Sequence, residues 1–160
     1  VNKGYRAFTY SADELFYSNS TYRTGTHKFY NIYYLSFDTQ NRNNYVAGLG
    51  FGSKFKISKR FDFSIELLSG ALFEDNVKYN ELNLLSGLEP MLGIKFLKRL
   101  ALSMGPAVRF QASSIRDAET GEFLSHIAPD NSKSYTHGKT IFKYWPGFRF
   151  SLELEIGRLR

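Results

Sequence analysis

The chain has 160 residues and a formal charge of +6, a length that suits one domain or one small barrel. It contains no cysteine, which excludes disulfides and thiolate chemistry. Its 21 Lys and Arg are scattered among 15 Asp and Glu, so we expect no nucleic-acid-binding surface. Aromatic residues make up 17% of the chain, and together with 13 Gly they favour strands over helices.

The first 26 residues give no firm prediction. Residues 5–17 could form a strand, but the run at 11–14 interrupts it, and residues 18–26 are polar and turn-like. Residues 29–37 are a better strand, with aromatic side chains on both faces, and residues 38–44 read as a polar loop.

From residue 45 onward, apolar positions alternate with glycine and charge. In residues 45–57 the even positions hold Val46, Gly48, Gly50, Gly52, Lys54 and Lys56. Successive side chains of a strand point to opposite faces, so this segment is predicted to have one apolar face and one small-or-charged face. The same pattern recurs in residues 61–73, 82–96, 100–112 and 142–156. These segments are longer than the usual globular strand of ~5–6 residues, which favours strands that cross a bilayer at a tilt.

The connections alternate between short and long. Residues 58–60 and 97–99 suit three-residue hairpin turns, whereas residues 74–81 and 113–141 are long and polar. Outer-membrane barrels have this alternation, with their long loops outside. We therefore predict that 113–141 is an outer loop that contacts partners. The same rule places the C-terminus at the short-turn end and Val1 at the opposite end. Six firm strands and a doubtful seventh imply that the N-terminal segment is not a strand, or that an earlier strand lies outside this chain.

The small-and-charged face is predicted to carry a lumen charge network. A narrow barrel can fill its interior with ion pairs, and Lys56 would face Asp62 while Glu89 would lie diagonal to Arg109. The alternative is a channel or a ligand site lined by the same charges. The predicted network consists of Lys54, Lys56, Asp62, Glu66, Glu89, Arg109, Arg149 and Glu153.

Other interpretations stay open at this stage. A soluble lipocalin-like carrier would also alternate, with its apolar face inward, although glycine weakens a solvent-exposed strand. A lipid-A-modifying enzyme could use Ser125 and His126. The three histidines lack paired metal-ligand spacing, and we expect no metal or cofactor. The prolines on the apolar face predict either bulges or a weak seam: Pro90, Pro106 and Pro146.

Residues 84–96 and the Gly105-Pro106 step in the next strand resemble the strands of Bacteroidetes outer-membrane β-barrel proteins, a group that includes the PorT-like barrels. The resemblance covers roughly residues 45–113 and implies an eight-stranded barrel in a Gram-negative outer membrane, without catalytic residues. We therefore predict a single all-β domain over residues 1–160, an antiparallel up-and-down transmembrane barrel. We expect it to be non-enzymatic, with a structural, assembly or secretion-accessory role through its outer loops. A small pore is the second prediction.

Overall fold

A computed structural model describes residues 5–13, 18–37, 44–74, 82–116, 119–123, 127–129 and 131–157. These residues contain nine strands. Their bounds are β1 Tyr5–Asp13, β2 Ser18–Gly25, β3 Tyr30–Phe37, β4 Tyr45–Lys56, β5 Phe61–Phe73, β6 Asn83–Lys95, β7 Leu100–Ser113, β8 Lys133–His137 and β9 Thr140–Gly157. Within this part of the chain, no helix is long and apolar enough to cross a membrane.

Eight of the strands form a closed antiparallel up-and-down barrel. Strands β1 to β7 pair in chain order, β9 pairs with β7, and β1 pairs with β9 to close the sheet. Strand β8 pairs with β9 over His137↔Thr140 to Lys133↔Tyr144 and extends the sheet beyond β1. The predicted fold class and strand number are therefore confirmed.

The predicted hairpin registers are also correct. Lys56 is the partner of Asp62 across β4 and β5. The Phe96 N–H donates to the carbonyl oxygen of Leu100 at the start of the β6–β7 turn (3.3 Å). A slip of one residue would turn one apolar face to the other side of the sheet, so the alternation together with the turn length determined which residues pair.

The prediction of a turn-like segment at residues 18–26 was wrong, whereas the possible strand within residues 5–17 is present as β1. Strand β2 occupies residues expected to be turn-like, and it pairs with both β1 and β3. This extra strand reverses the direction assigned to β1. Tyr5 pairs with Gly25, and Arg6 pairs with Gly157, so β1 begins at the short-turn end instead of the opposite end. The barrel closes without an additional strand.

The bulges predicted at the prolines are absent from β6 and β7. The register is the same on both sides of the prolines, at Leu88↔Val108 and Leu92↔Met104, but the three intervening pairs are not bridged. Hydrogen-bonded pairs occur at every second position of an antiparallel ladder. Phe96 and Leu100 form a hydrogen-bonded pair. Counting back from them in steps of two residues shows that Pro90 and Pro106 are also opposite each other at a hydrogen-bonded position. Neither proline has an N–H to donate, so the seam lacks two ladder hydrogen bonds.

Candidate functional site

Among the residues that the structure describes, eight charged side chains are buried in the barrel interior, four of each sign. The positive ones are Arg23, Lys54, Arg109 and Arg149, and the negative ones are Asp62, Glu66, Glu89 and Glu153. Seven of these were predicted from the sequence. The structure replaces Lys56, which is exposed at the short-turn end, with Arg23 from the strand that the sequence pattern missed.

Glu66 is the centre of one buried ion pair. The Arg23 guanidinium donates from Nε to Oε1 (2.8 Å) and from Nη2 to Oε2 (2.7 Å), and the Tyr30 hydroxyl donates to Oε1 (2.7 Å). Arg23 Nη1 also donates to the hydroxyls of Thr21 and Thr9. This two-pronged geometry satisfies both charges within the barrel.

Glu89 joins two arginines on neighbouring strands. Its Oε1 accepts a hydrogen bond from Arg109, and its Oε2 accepts one from Arg149. Arg149 also donates from Nη2 to the Ser11 hydroxyl (2.7 Å), across the closure between β9 and β1. The predicted proximity of Glu89 and Arg109 is thus observed, and the group connects four barrel strands, β6, β7, β9 and β1.

A further ion pair lies closer to the short-turn end. Lys54 Nζ donates to both carboxylate oxygens of Glu153, at 2.7 and 2.8 Å. Asp62 is buried nearby in the wall, and its Oδ1 has no hydrogen-bond partner. Although Asp62 and Lys56 are partners in the strand register, no ion pair joins them among the described residues.

The glycines of the inner face make room for these large side chains. A Cβ at Gly52 would collide with the Tyr30 ring, and a Cβ at Gly87 would collide with the Arg109 guanidinium. Gly48 and Gly70 face each other across β4 and β5, below the Tyr34 ring. An eight-stranded barrel is only wide enough for side chains to fill it. The glycine pattern therefore reflects close packing.

The long-loop end of the lumen is closed by an apolar layer. Val46, Leu72, Leu85 and Trp145 form a buried cluster, and Ile127 and Ala128 of the segment after β7 pack against it. Between this layer and the ion pairs lies a cavity of about 20 Å³, about the space that one water molecule needs. The described part of the lumen therefore contains no open channel.

The rest of the 113–141 segment is partly described. Arg116 and Phe123 form an isolated antiparallel β-bridge. The Arg116 guanidinium lies over the Phe123 ring and donates a hydrogen bond to the carbonyl oxygen of Gly121 (3.0 Å). Ser125 and His126, the candidate catalytic pair, lie outside the described residues. Within the described ranges, no group of three or more His, Cys, Asp or Glu could hold a metal ion.

The outer surface of the barrel is apolar. Outward positions carry apolar side chains that are each at least half exposed, such as Leu49, Leu67, Leu92 and Phe150. At the outward positions of the barrel strands, as far as they are described, Arg6 at the short-turn end is the one charged residue. The hydrophobic side chains of this chain thus lie mainly outside, and its charges lie inside or at the ends.

Two aromatic rows border this surface. At the long-loop end, neighbouring rings pair as Phe37–Tyr45, Tyr45–Phe73 and Phe110–Tyr144. At the short-turn end, the pairs are Phe29–Phe51 and Phe55–Phe63. Ten residue steps separate Tyr45 from Phe55, which is ~33 Å along a strand at ~3.3 Å per residue. A tilt of about 40° reduces this length to a height of about 25 Å.

No protein-family model, no curated protein and no solved structure matches this chain. The resemblance to Bacteroidetes barrels therefore stays a prediction based on residues 45–113.

Proposed function

We propose that this chain is a non-enzymatic barrel of a Gram-negative outer membrane, with a structural, assembly or secretion-accessory role. The observation that carries the proposal is the uncharged apolar band between two aromatic rows. Transmembrane barrels have an apolar band about 25 Å tall with aromatic girdles at both edges. In water, such a band would be an exposed hydrophobic surface far larger than monomers tolerate.

The filled lumen favours a structural role over a pore. The buried ion pairs and the apolar layer under Ile127 and Ala128 occupy the space that an ion would have to cross. The outward apolar face also argues against a lipocalin-like carrier, which needs that face inward.

The long-loop end is the proposed contact surface for partner proteins. Strand β8 is exposed along its whole length, and Tyr135 is 65% exposed there.

The first test combines cell fractionation with a semi-native gel. The proposal expects the protein in the outer-membrane detergent fraction, with a band whose migration shifts on boiling. A planar-bilayer recording of the purified protein is expected to be silent. Conductance steps would favour the small pore instead, and a protein that stays soluble without detergent would contradict the proposal.

The partner role needs a separate test. A photo-crosslinking residue at Tyr135 is expected to give a discrete protein adduct in native outer membranes. The same crosslinker at Leu67 is the control, because that position faces the proposed lipid phase. Equal adducts from both positions, or none from Tyr135, would contradict contact through the hairpin of β8 and β9.

The enzyme alternative is tested on lipid A. Replacing both Ser125 and His126 with Ala is expected to leave the mass spectrum of lipid A unchanged. A lost modification that returns with the wild-type gene would support an enzyme.

A further inference from the structure

The short-turn end contains a second, larger cavity, of about 310 Å³. Its walls come from the β4–β5 and β6–β7 turns, the β2–β3 turn at His27 and the end of β9 at Glu155. The buried Lys54–Glu153 pair lies between this cavity and the filled lumen. The cavity is therefore a closed-ended pocket that opens at the short-turn end. Its size is at the lower limit of small-molecule sites, roughly 300–1,000 Å³.

The pocket has a strong positive charge. Six cationic side chains line it: Lys54, Lys56, Lys59, Arg60, Lys95 and Lys98. Burial lowers the pKa of His27. The negative charge of Glu155 acts to raise this pKa, but the positive charge of Lys95 opposes that effect. The His27 ring is therefore neutral near pH 7 and does not add to this charge.

Among the described residues, four of these cations have no carboxylate within ion-pair distance. Lys54 is paired with Glu153, and Lys95 lies 3.9 Å from Glu155. For Lys56, Lys59, Arg60 and Lys98, no ion pair is found with any residue that the structure describes. Like charges that converge on a concave surface raise the local concentration of anions. Phosphate is the anion that such sets of Lys and Arg bind most readily in proteins.

Asp62 adds a requirement that a simple anion does not meet. Asp62 is 4% exposed and lines the same pocket, while its unpartnered Oδ1 lies against Gly93 in the barrel wall. A carboxylate at the pocket wall accepts hydrogen bonds and carries a negative charge. Bare phosphate beside it would repel the carboxylate, whereas a ligand hydroxyl would donate to it.

We propose that this pocket binds a small phosphorylated solute that also carries hydroxyl groups, the chemical class of the sugar phosphates. The phosphate contacts cations of the two turns, and a hydroxyl donates to Asp62. The pocket ends at the Lys54–Glu153 pair, so it is a binding site and not an entrance to a channel. This inference rests on the barrel geometry and does not require the membrane role proposed above.

Isothermal titration of the folded full-length chain in a neutral detergent tests the proposal. The probes are glucose 6-phosphate, inorganic phosphate and glucose. We expect saturable one-to-one binding of glucose 6-phosphate, weaker binding of inorganic phosphate and no binding of glucose. The variant K56Q/K98Q is expected to weaken glucose 6-phosphate binding at least about tenfold, the effect of losing one to two charge-assisted contacts. The matched control K133Q/K139Q, at the opposite end, is expected to bind as the wild type does.

The variant D62A, which removes both the negative charge and the hydrogen-bond acceptor, separates a built site from a general attraction to anions. Removing one negative charge strengthens the binding of inorganic phosphate by electrostatics alone. For glucose 6-phosphate, we expect that gain to be cancelled by the loss of the hydroxyl acceptor, so the ratio of the two affinities falls. An unchanged ratio would overturn the role of Asp62.

Three outcomes would overturn the pocket itself. The first is no saturable binding of glucose 6-phosphate at millimolar concentration, and the second is an equal loss of glucose 6-phosphate affinity in K133Q/K139Q. The third is that K56Q/K98Q binds glucose 6-phosphate as the wild type does and only loses a preference for phosphatidylglycerol over phosphatidylcholine nanodiscs. The last result would assign the cations to lipid headgroups. A silent bilayer recording or a failed fractionation leaves these titrations interpretable, so the two proposals fail separately.

Discussion

In this barrel, charged side chains are buried and apolar side chains are exposed, the reverse of the usual arrangement in a soluble protein. Arg23 and Glu66 are each 1% exposed, whereas Leu67, the neighbour of Glu66 in the chain, is 53% exposed. Burying unpaired charges is costly. The interior is therefore stable only because almost every charge has a partner, and a variant that removes one partner should have a large effect.

Replacing Glu66 with Gln leaves the Arg23 guanidinium buried without its carboxylate. We expect E66Q to lower the free energy of unfolding by about 3–5 kcal/mol. The urea midpoint measures this loss, with fluorescence of Trp145, the single tryptophan and a buried one, as the signal. The exposed E122Q is the control and should change stability by less than about 0.5 kcal/mol. Similar midpoints for E66Q and E122Q would contradict a stabilising ion pair.

Gly52 and Tyr30 form a second test at this scale. The variant G52V forces a side chain into the Tyr30 ring, which should cost about 1–3 kcal/mol. Shortening Tyr30 in Y30A/G52V makes room, so the double variant should lose less stability than the two single variants together, with a coupling of about 0.5–3 kcal/mol. The outward-facing A47V is the control for valine itself. Strict additivity would show that the ring does not need the glycine.

Among the elements, the seam between β6 and β7 differs from the others. The pairing of β7 with β9 is continuous from Leu100 to Ser113, whereas the β6–β7 ladder is interrupted at Pro90 and Pro106. A Cβ at Gly105 would collide with the Pro90 carbonyl oxygen, so the two backbones remain close at the interruption. The missing bonds are therefore due to proline chemistry and not to separated strands.

Restoring the two N–H groups should strengthen this seam. We expect P90V/P106V to raise the free energy of unfolding by about 1–3 kcal/mol, the net value of two hydrogen bonds. Amide exchange at Leu88 and Leu92 should become slower. Pro146 is the matched control. Its partner on β7 is Val108. The Glu155 N–H donates to the Arg99 carbonyl oxygen, and counting from that pair in steps of two shows that Val108 and Pro146 are a non-hydrogen-bonded pair. An equal gain in P146V would contradict the ladder argument.

The elements also show how far the sequence is informative. Strands β4 to β7 and β9 were predicted because period-two alternation over a dozen residues is difficult to produce otherwise. Strand β2 was missed because Ser20, Tyr22 and Thr24 on its outer face are not apolar, although Arg23 and Thr21 point inward as the other lumen residues do. Its pairing depends on neighbours on both sides, which no local pattern reveals. Arg23, and with it the partner of Glu66, could not be assigned without that strand.

At the scale of the whole molecule, the lumen consists of layers. An apolar cluster around Trp145 closes the long-loop end, ion pairs fill the middle, and Lys54–Glu153 separates them from a positively charged pocket. The sequence predicted a charge-filled lumen through Lys54, Glu89 and Arg109. It did not predict the apolar closure, because Ile127 and Ala128 reach Trp145 only through the return of a long connection.

We propose that the outward face of this barrel contacts lipid while the inward face does not. Because the chain has no cysteine, single cysteines can be placed along β5 without background labelling. Each is labelled with an environment-sensitive fluorophore, and quenching by nitroxide lipids is measured after reconstitution. We predict strong quenching at Ile65, Leu67, Ser69 and Ala71, and weak quenching or poor labelling at Leu68, Gly70 and Leu72. Quenching without this alternation, or outward positions that react fully with a water-soluble maleimide, would contradict the account.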